Sequence, residues 1–300
     1  MPAAFLIGLR EGLEAALVVG ILSAYVVRLG RRDLMRRIAL GVGIAIAVSL
    51  IIGLVLTFGA YGLSFQAQEI IGGTLSLLAV AMVTWMVFWM IRAGGAMKQQ
   101  LEQQVDARID GSGWGIVALA TVSVAREGLE TALFVWSTTR SSDPLGGLIA
   151  AVAGIVTAAL IATLLMRGLL RINLHKFFTV TGALLLVMAA GVVAYAIHDL
   201  QEAAVLPGPF IAAPAGIPAL AGWFGEAAWA FRIPHIIAPD GVLGAFLKGT
   251  VGLTPEMTKL ELIAWAGYLV ITMPLFIRAV RRSGTKSRAT AAAATPVAAT

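Results

Sequence analysis

The sequence predicts an all-α integral membrane protein with seven transmembrane helices. Segments 1–3 and 4–6 are expected to form an inverted repeat, with a seventh helix added, the N-terminus outside and the C-terminus cytoplasmic. Three observations predict this. Of 300 residues, 59% are hydrophobic and only 13% charged, where soluble domains carry about 25% charged residues. Seven apolar stretches reach the roughly 20 residues that a helix needs to cross the hydrocarbon core. Finally, the pentapeptide Arg10-Glu11-Gly12-Leu13-Glu14 in the first stretch returns as Arg126-Glu127-Gly128-Leu129-Glu130 in the fourth.

The spans fall near residues 4–27, 38–61, 69–91, 114–138, 145–166, 177–198 and 259–278. Basic residues gather in alternate connections. Arg28, Arg31, Arg32, Arg36 and Arg37 follow span 1, Arg92, Lys98 and Arg108 follow span 3, and Arg167, Arg171 and Lys176 follow span 5. Arg278, Arg281, Arg282, Lys286 and Arg288 follow span 7. The opposite side has only Arg140, Arg232, Lys248 and Lys259. Excess Lys and Arg mark the cytoplasmic side, which sets the orientation and makes the two motif copies antiparallel. Inverted repeats of this kind occur in many transporters, with the site at the repeat interface.

Residues 1–280 therefore read as one seven-helix domain, with a long extracytoplasmic connection over 199–258. Seven prolines between Pro207 and Pro255 argue against a continuous helix there. Its apolar pieces, 219–231 and 241–253, are expected to lie on or dip into the bilayer. Residues 97–109, MKQQLEQQVDARI, read as a short amphipathic helix on the cytoplasmic face. The tail, 281–300, is basic and then rich in Ala and Thr, and is expected to be disordered. Gly8, Gly12, Ala16 and Gly20 form a small-residue stripe on span 1 that lets backbones approach closely. Both general membrane packing and a two-helix site call for such a stripe.

Several function classes drop out. The net charge of +6 sits in clusters between apolar spans, which is a poor design for nucleic acid. With no cysteine, disulfides, thiolate metal sites and thiol catalysis are excluded. Met1–Leu9 has no basic region ahead of its apolar residues, so no cleavable leader is expected. No Ser/His/Asp grouping or HExxH pattern is present, and the chain is not expected to be an enzyme.

The repeated motif holds the chemistry. Each charged residue at a bilayer centre costs about 2.5–3.5 kcal/mol, so three lipid-facing and unpaired would cost roughly 8–10 kcal/mol. In a helix Glu11 and Glu14 leave on one face, as do Glu127 and Glu130, while Arg10–Glu14 and Arg126–Glu130 are i,i+4 pairs. Four carboxylates against two guanidiniums leave negative charge that a multivalent cation would neutralise. Carboxylate oxygens without Cys or His nearby suit a hard cation such as Fe(III), Mn, Mg or Ca. A set of ion pairs that only holds the bundle, and a proton relay, are the other readings of these residues. His198, Asp199 and Glu202 at the end of span 6, with Glu69 at the start of span 3, are candidates for outer capture. Glu102 and Asp106 are candidates for an inner exit. Each of these is also what a solvated helix end presents.

Two copies of Arg-Glu-Gly-Leu-Glu in the first and fourth of seven spans resemble the oxidase-dependent iron permeases. That family includes fungal high-affinity iron permeases and the bacterial EfeU-type permease. The similarity covers roughly residues 1–280 and extends to His198-Asp199-Leu200-Gln201-Glu202 and to the stretch from Gly241 to Pro255. It implies high-affinity iron import across the plasma (bacterial inner) membrane, with Glu11, Glu14, Glu127 and Glu130 as iron ligands supported by Arg10 and Arg126. Iron is then substrate, not cofactor. The resemblance also implies an extracytoplasmic iron-binding protein and an oxidase or peroxidase acting in trans.

Overall fold

The computed structural model describes residues 2–59, 63–93, 97–109, 113–139, 144–169, 173–214, 218–238 and 241–293. Nine α-helices lie within them: α1 (Pro2–Arg28), α2 (Met35–Phe58), α3 (Phe65–Ala93), α4 (Met97–Ile109), α5 (Trp114–Thr139), α6 (Pro144–Met166), α7 (Leu174–Glu202), α8 (Val242–Thr250) and α9 (Lys259–Ala293). Each of the seven stretches expected to span overlaps a helix, α1, α2, α3, α5, α6, α7 and α9 in turn, and the amphipathic stretch is α4. The helix α9 continues through Ala293, into the stretch expected to lack structure. Residues 294–300 lie outside the described ones.

By length and apolar character, α2, α3, α6, α7 and α9 can cross a membrane. The motif helices α1 and α5 have 27 and 26 residues, which at 1.5 Å per residue is about 40 Å and exceeds the bilayer core. Each carries three charged residues in its middle.

The helices pair in a pattern that maps onto itself when α1, α2 and α3 are exchanged with α5, α6 and α7. The most extensive contact of α1 is with α6, and that of α2 is with α5. Between them α1 packs on α5, and α3 packs on α7. The helix α9 has no counterpart; it packs chiefly on α7 and touches α3. The outer faces of α2 and α6 expose Leu50, Ile51, Leu54, Leu148, Ile149 and Leu160. Such large apolar faces are unsuited to water and suited to lipid.

Small residues set the closest approaches. A Cβ on Gly8 would collide with the carbonyl oxygen of Ala151, and one on Gly154 with Phe5 and Leu9 backbone. The stripe on α1 thus faces α6, and not α5 where a two-helix site would use it. The physical reason is volume: the α1–α5 seam must hold four Glu and two Arg side chains, which a backbone-to-backbone contact would exclude. The α4 helix also differs from a helix lying on a membrane surface. Its apolar face, Leu101 and Val105, is buried against Val18, Leu22 and Val26 of α1 and Ile116 and Leu119 of α5. Tyr25 donates to Asp106 Oδ1 at 2.7 Å.

After α7 the chain forms two 3-10 turns (Pro218–Trp223 and Gly225–Ala228), the strand β1 (Trp229–Arg232), α8, and the strand β2 (Glu256–Thr258). The two strands pair antiparallel. This small sheet departs from the all-α expectation. Polar ties hold it: Arg232 contacts Glu226 at 3.1 Å and Glu256 at 3.3 Å, and Lys259 Nζ donates to the carbonyls of Gly222 and Ala227. Gly252, at φ +74°, presses its backbone onto Gly191 of α7, an approach that side chains on either would block.

Candidate metal centre

The seam between α1 and α5 brings the two motif copies together. Arg10, Glu11, Glu14, Glu127 and Glu130 are all buried. One carboxylate oxygen each from Glu11, Glu14 and Glu127 can be chosen so that all three lie within 4.8 Å of one another. Two helices thus supply a compact set of acidic oxygens. Glu11 Oε2, Glu127 Oε2 and Glu130 Oε2 are buried without a hydrogen-bond partner among the described residues. Buried polar atoms are rarely left so; the donor Arg10 Nε is unpartnered there too, and the excess of carboxylate oxygens over it marks a site with acceptor capacity to spare.

Both expected i,i+4 pairs form, but the copies differ. Arg10 is 1% exposed and reaches Glu11 at 2.9 Å and Glu14 at 3.2 Å. The nitrogen that faces Glu14, Nη2, also donates to Met90 Sδ of α3 at 3.0 Å. Arg126 is 40% exposed and pairs with Glu130 at 3.1 Å. Its guanidinium lies 4.9 Å from the centroid of the Trp89 ring, within cation–π range. Glu127 has no ion pair among the described residues. Beside Arg126 and Glu130 a cleft of about 510 Å³ opens between α3 and α5, lined also by Ala81, Met82, Trp85 and Trp89. Sequence spacing gives the intrahelical pairs; it does not give Met90 or Trp89, which reach the motif from α3.

The candidate outer residues separate into two directions. Asp199 is buried and packs toward Gly73 of α3, one turn beyond the buried Glu69. His198 and Glu202 face the other way, toward α9, each 30% exposed, with Nε2 and Oε1 3.5 Å apart. His198 Nδ1 lies 2.9 Å from Glu261 Oε1. Glu261 is a functional candidate that the sequence reading missed, although its signal was present. Thr258-x-x-Glu261 is a capping box: Glu261 N–H donates to Thr258 Oγ1 and Thr258 N–H to Glu261 Oε2. Of the candidate exit residues, Asp106 is engaged by Tyr25 and Glu102 is half-buried on α4.

Residues 1–209 match the iron permease FTR1 family. The chain is 32% identical over 275 residues to the ferrous iron permease EfeU of Yersinia pestis, covering 91% of this chain and 92% of that protein. It is 31% identical over 287 residues to the ferrous iron permease EfeU of Escherichia coli, covering 95% and 98%. No solved structure matches it. A family match across α1 to α7, which build the α1–α5 seam and its surroundings, with relatives aligned over nearly their whole length, leads to one conclusion: the chain belongs to the iron permease FTR1 family.

Proposed function

We propose that this protein imports iron across the plasma (bacterial inner) membrane, through a site formed by Glu11, Glu14, Glu127 and Glu130 between α1 and α5. The observation that carries the reading is the convergence of buried, incompletely partnered carboxylate oxygens from two helices. Hard oxygen ligands with surplus negative charge bind a cation and not an anion or a neutral solute. The relatives are named ferrous iron permeases, which favours Fe(II) as the carried ion. Arg10 and Arg126 hold the carboxylates in place and limit their mutual repulsion, so that the surplus is released only to a cation.

The wider reading has seven spans, α1 and α5 among them, with Arg10 and the four glutamates turned into the seam and Arg126 at its edge, over Trp89. The self-mapping of helix contacts supports an inverted repeat of α1–α3 and α5–α7. The distribution of Lys and Arg supports an outside N-terminus. Iron is gathered on the outside at His198 and Glu202, with Asp199 and Glu69 on the adjoining α3–α7 face. It passes the four glutamates and leaves near Glu102 and Asp106. An extracytoplasmic iron-binding protein and an oxidase or peroxidase would act in trans.

The test is uptake of radioactive iron by cells carrying Glu14→Gln or Glu130→Gln at the unsubstituted protein's membrane level. Uptake at the unsubstituted rate removes the site. Manganese, another hard cation, is the second reading, because oxygen-only ligands discriminate weakly among such ions. Competition of unlabelled Mn²⁺ against iron, stronger than that of unlabelled iron itself, would favour it.

A further inference from the structure

The His198–Glu261 contact carries an inference beyond iron passage through the seam. Glu261 lies in the first turn of α9, is 4% exposed, and has both oxygens engaged. Oε2 accepts the Thr258 N–H at 3.3 Å, and Oε1 faces His198 Nδ1 at 2.9 Å. A carboxylate only accepts, so Nδ1 is the nitrogen that carries hydrogen. The ring is also fixed sideways, stacked near Tyr195 at 6.4 Å and edge-on to Phe210 at 5.5 Å between centroids.

With Nδ1–H committed, Nε2 of the neutral ring presents a lone pair. It faces Glu202 Oε1 at 3.5 Å, an arrangement that either a proton on Nε2 or a metal cation between the two atoms satisfies. A metal cation reaching each atom at about 2.0–2.2 Å would see them at roughly 110°. An i,i+4 pair on one helix face is a spacing that metal sites use. A carboxylate behind the distal nitrogen of a ligating histidine fixes its tautomer and raises its basicity.

We infer that Glu261 is a positioning residue for iron capture: it holds His198 so that Nε2, with the Glu202 carboxylate, takes the incoming ion at the outer end of α7. This rests on the iron-import reading. A protonated His198 held by both carboxylates would tie α7 to α9 without metal, and its loss would lower stability and leave KM for iron unchanged.

The experiment measures iron uptake, supplied as ferrous ascorbate, over a concentration series in cells expressing the full chain, normalised to protein in the membrane. Glu261→Gln is expected to raise KM about tenfold, the lower range for loss of an outer-shell carboxylate, with maximal uptake little changed. His198→Ala is expected to raise KM at least as much. In the His198→Ala background, Glu261→Gln is expected to add nothing, because its route of action is gone. Thr258→Ala, which removes a cap but leaves the His198 contact, is expected to lower thermal stability in detergent and leave KM unchanged. An unchanged KM in Glu261→Gln or in His198→Ala overturns the inference, as does an equal rise in KM from Glu261→Gln with and without His198. Iron uptake no greater than in cells lacking the chain overturns the import reading instead.

Discussion

The two arginines of the repeated motif should not be equivalent, and their replacement by glutamine measures the difference. Arg10 is almost wholly buried, within 3.2 Å of two glutamates and under Met90. Arg10→Gln leaves Glu11 and Glu14 buried without a cation, and removing one partner of a buried pair costs about 3–5 kcal/mol. Arg126 is 40% exposed and holds one glutamate. Its ion pair, screened by its own 40% exposure but buried on the Glu130 side, contributes about 1 kcal/mol, the upper end for exposed pairs, and its stacking on Trp89 about 0.5–1 kcal/mol. Arg126→Gln should therefore cost about 1–2 kcal/mol. The gap of roughly 2 kcal/mol is about a 30-fold difference in the folding equilibrium constant. Denaturant titration of the purified variants in one detergent, followed by tryptophan fluorescence, reads it as a shift of midpoint at constant slope. The double variant Arg10→Gln with Glu14→Gln should recover part of the loss, since one of the orphaned carboxylates is then gone. Equal losses for the two arginines, or a larger one for Arg126, would refute the burial argument.

Further outcomes follow from the packing and from the α4 contact. Gly8→Ala places a methyl group against the Ala151 carbonyl and should reduce the yield of monodisperse protein on size exclusion. Gly53→Ala, with open space around the new methyl, should leave the elution profile unchanged. Tyr25→Phe removes the hydroxyl that donates to Asp106 and so one polar tie between α1 and α4. It should speed amide hydrogen exchange in α4 while leaving exchange in α7 as it was.

Much of the fold was legible because length and composition decide it. A run of twenty apolar residues has few alternatives to a spanning helix, and the expected stretches differ from the observed helices mainly at their ends. The i,i+4 ion pairs were equally legible, since helix geometry alone brings Arg10 to Glu14 and Arg126 to Glu130. What the sequence could not give is which face meets which neighbour. In lipid-facing helices apolar residues lie all round, so no amphipathic stripe says that Gly8 and Gly12 meet α6. For the same reason Met90 and Trp89 look like ordinary span residues until α3 is placed. Glu261 was hidden differently: it reads as the last element of a helix cap, and its second oxygen is free to act only because α7 passes beside it. The small antiparallel sheet escaped notice because Trp229–Arg232 and Glu256–Thr258 are too short to show alternation.

The four glutamates have one sequence context and unequal surroundings, and this separates stability from transport. Glu11 and Glu14 share Arg10, and Glu130 has Arg126. Glu127 has no ion pair among the described residues, yet it is buried and shares a 4.8 Å neighbourhood with Glu11 and Glu14. Its negative charge is thus the least compensated at the seam. Replacing Glu14 by Gln removes an arginine's partner and should destabilise the fold. Replacing Glu127 by Gln removes repulsion and desolvated charge while keeping the side chain's volume, and should stabilise the metal-free protein by about 0.5–2 kcal/mol, the range of single stabilising substitutions. Both substitutions remove a ligand oxygen of the proposed site, so both should abolish iron uptake. Denaturant midpoints in metal-free detergent, set beside uptake rates for the same two variants, test this directly. Destabilisation by Glu127→Gln would mean that its carboxylate holds the helices together, and the surplus charge at the seam would then serve structure and not cation binding.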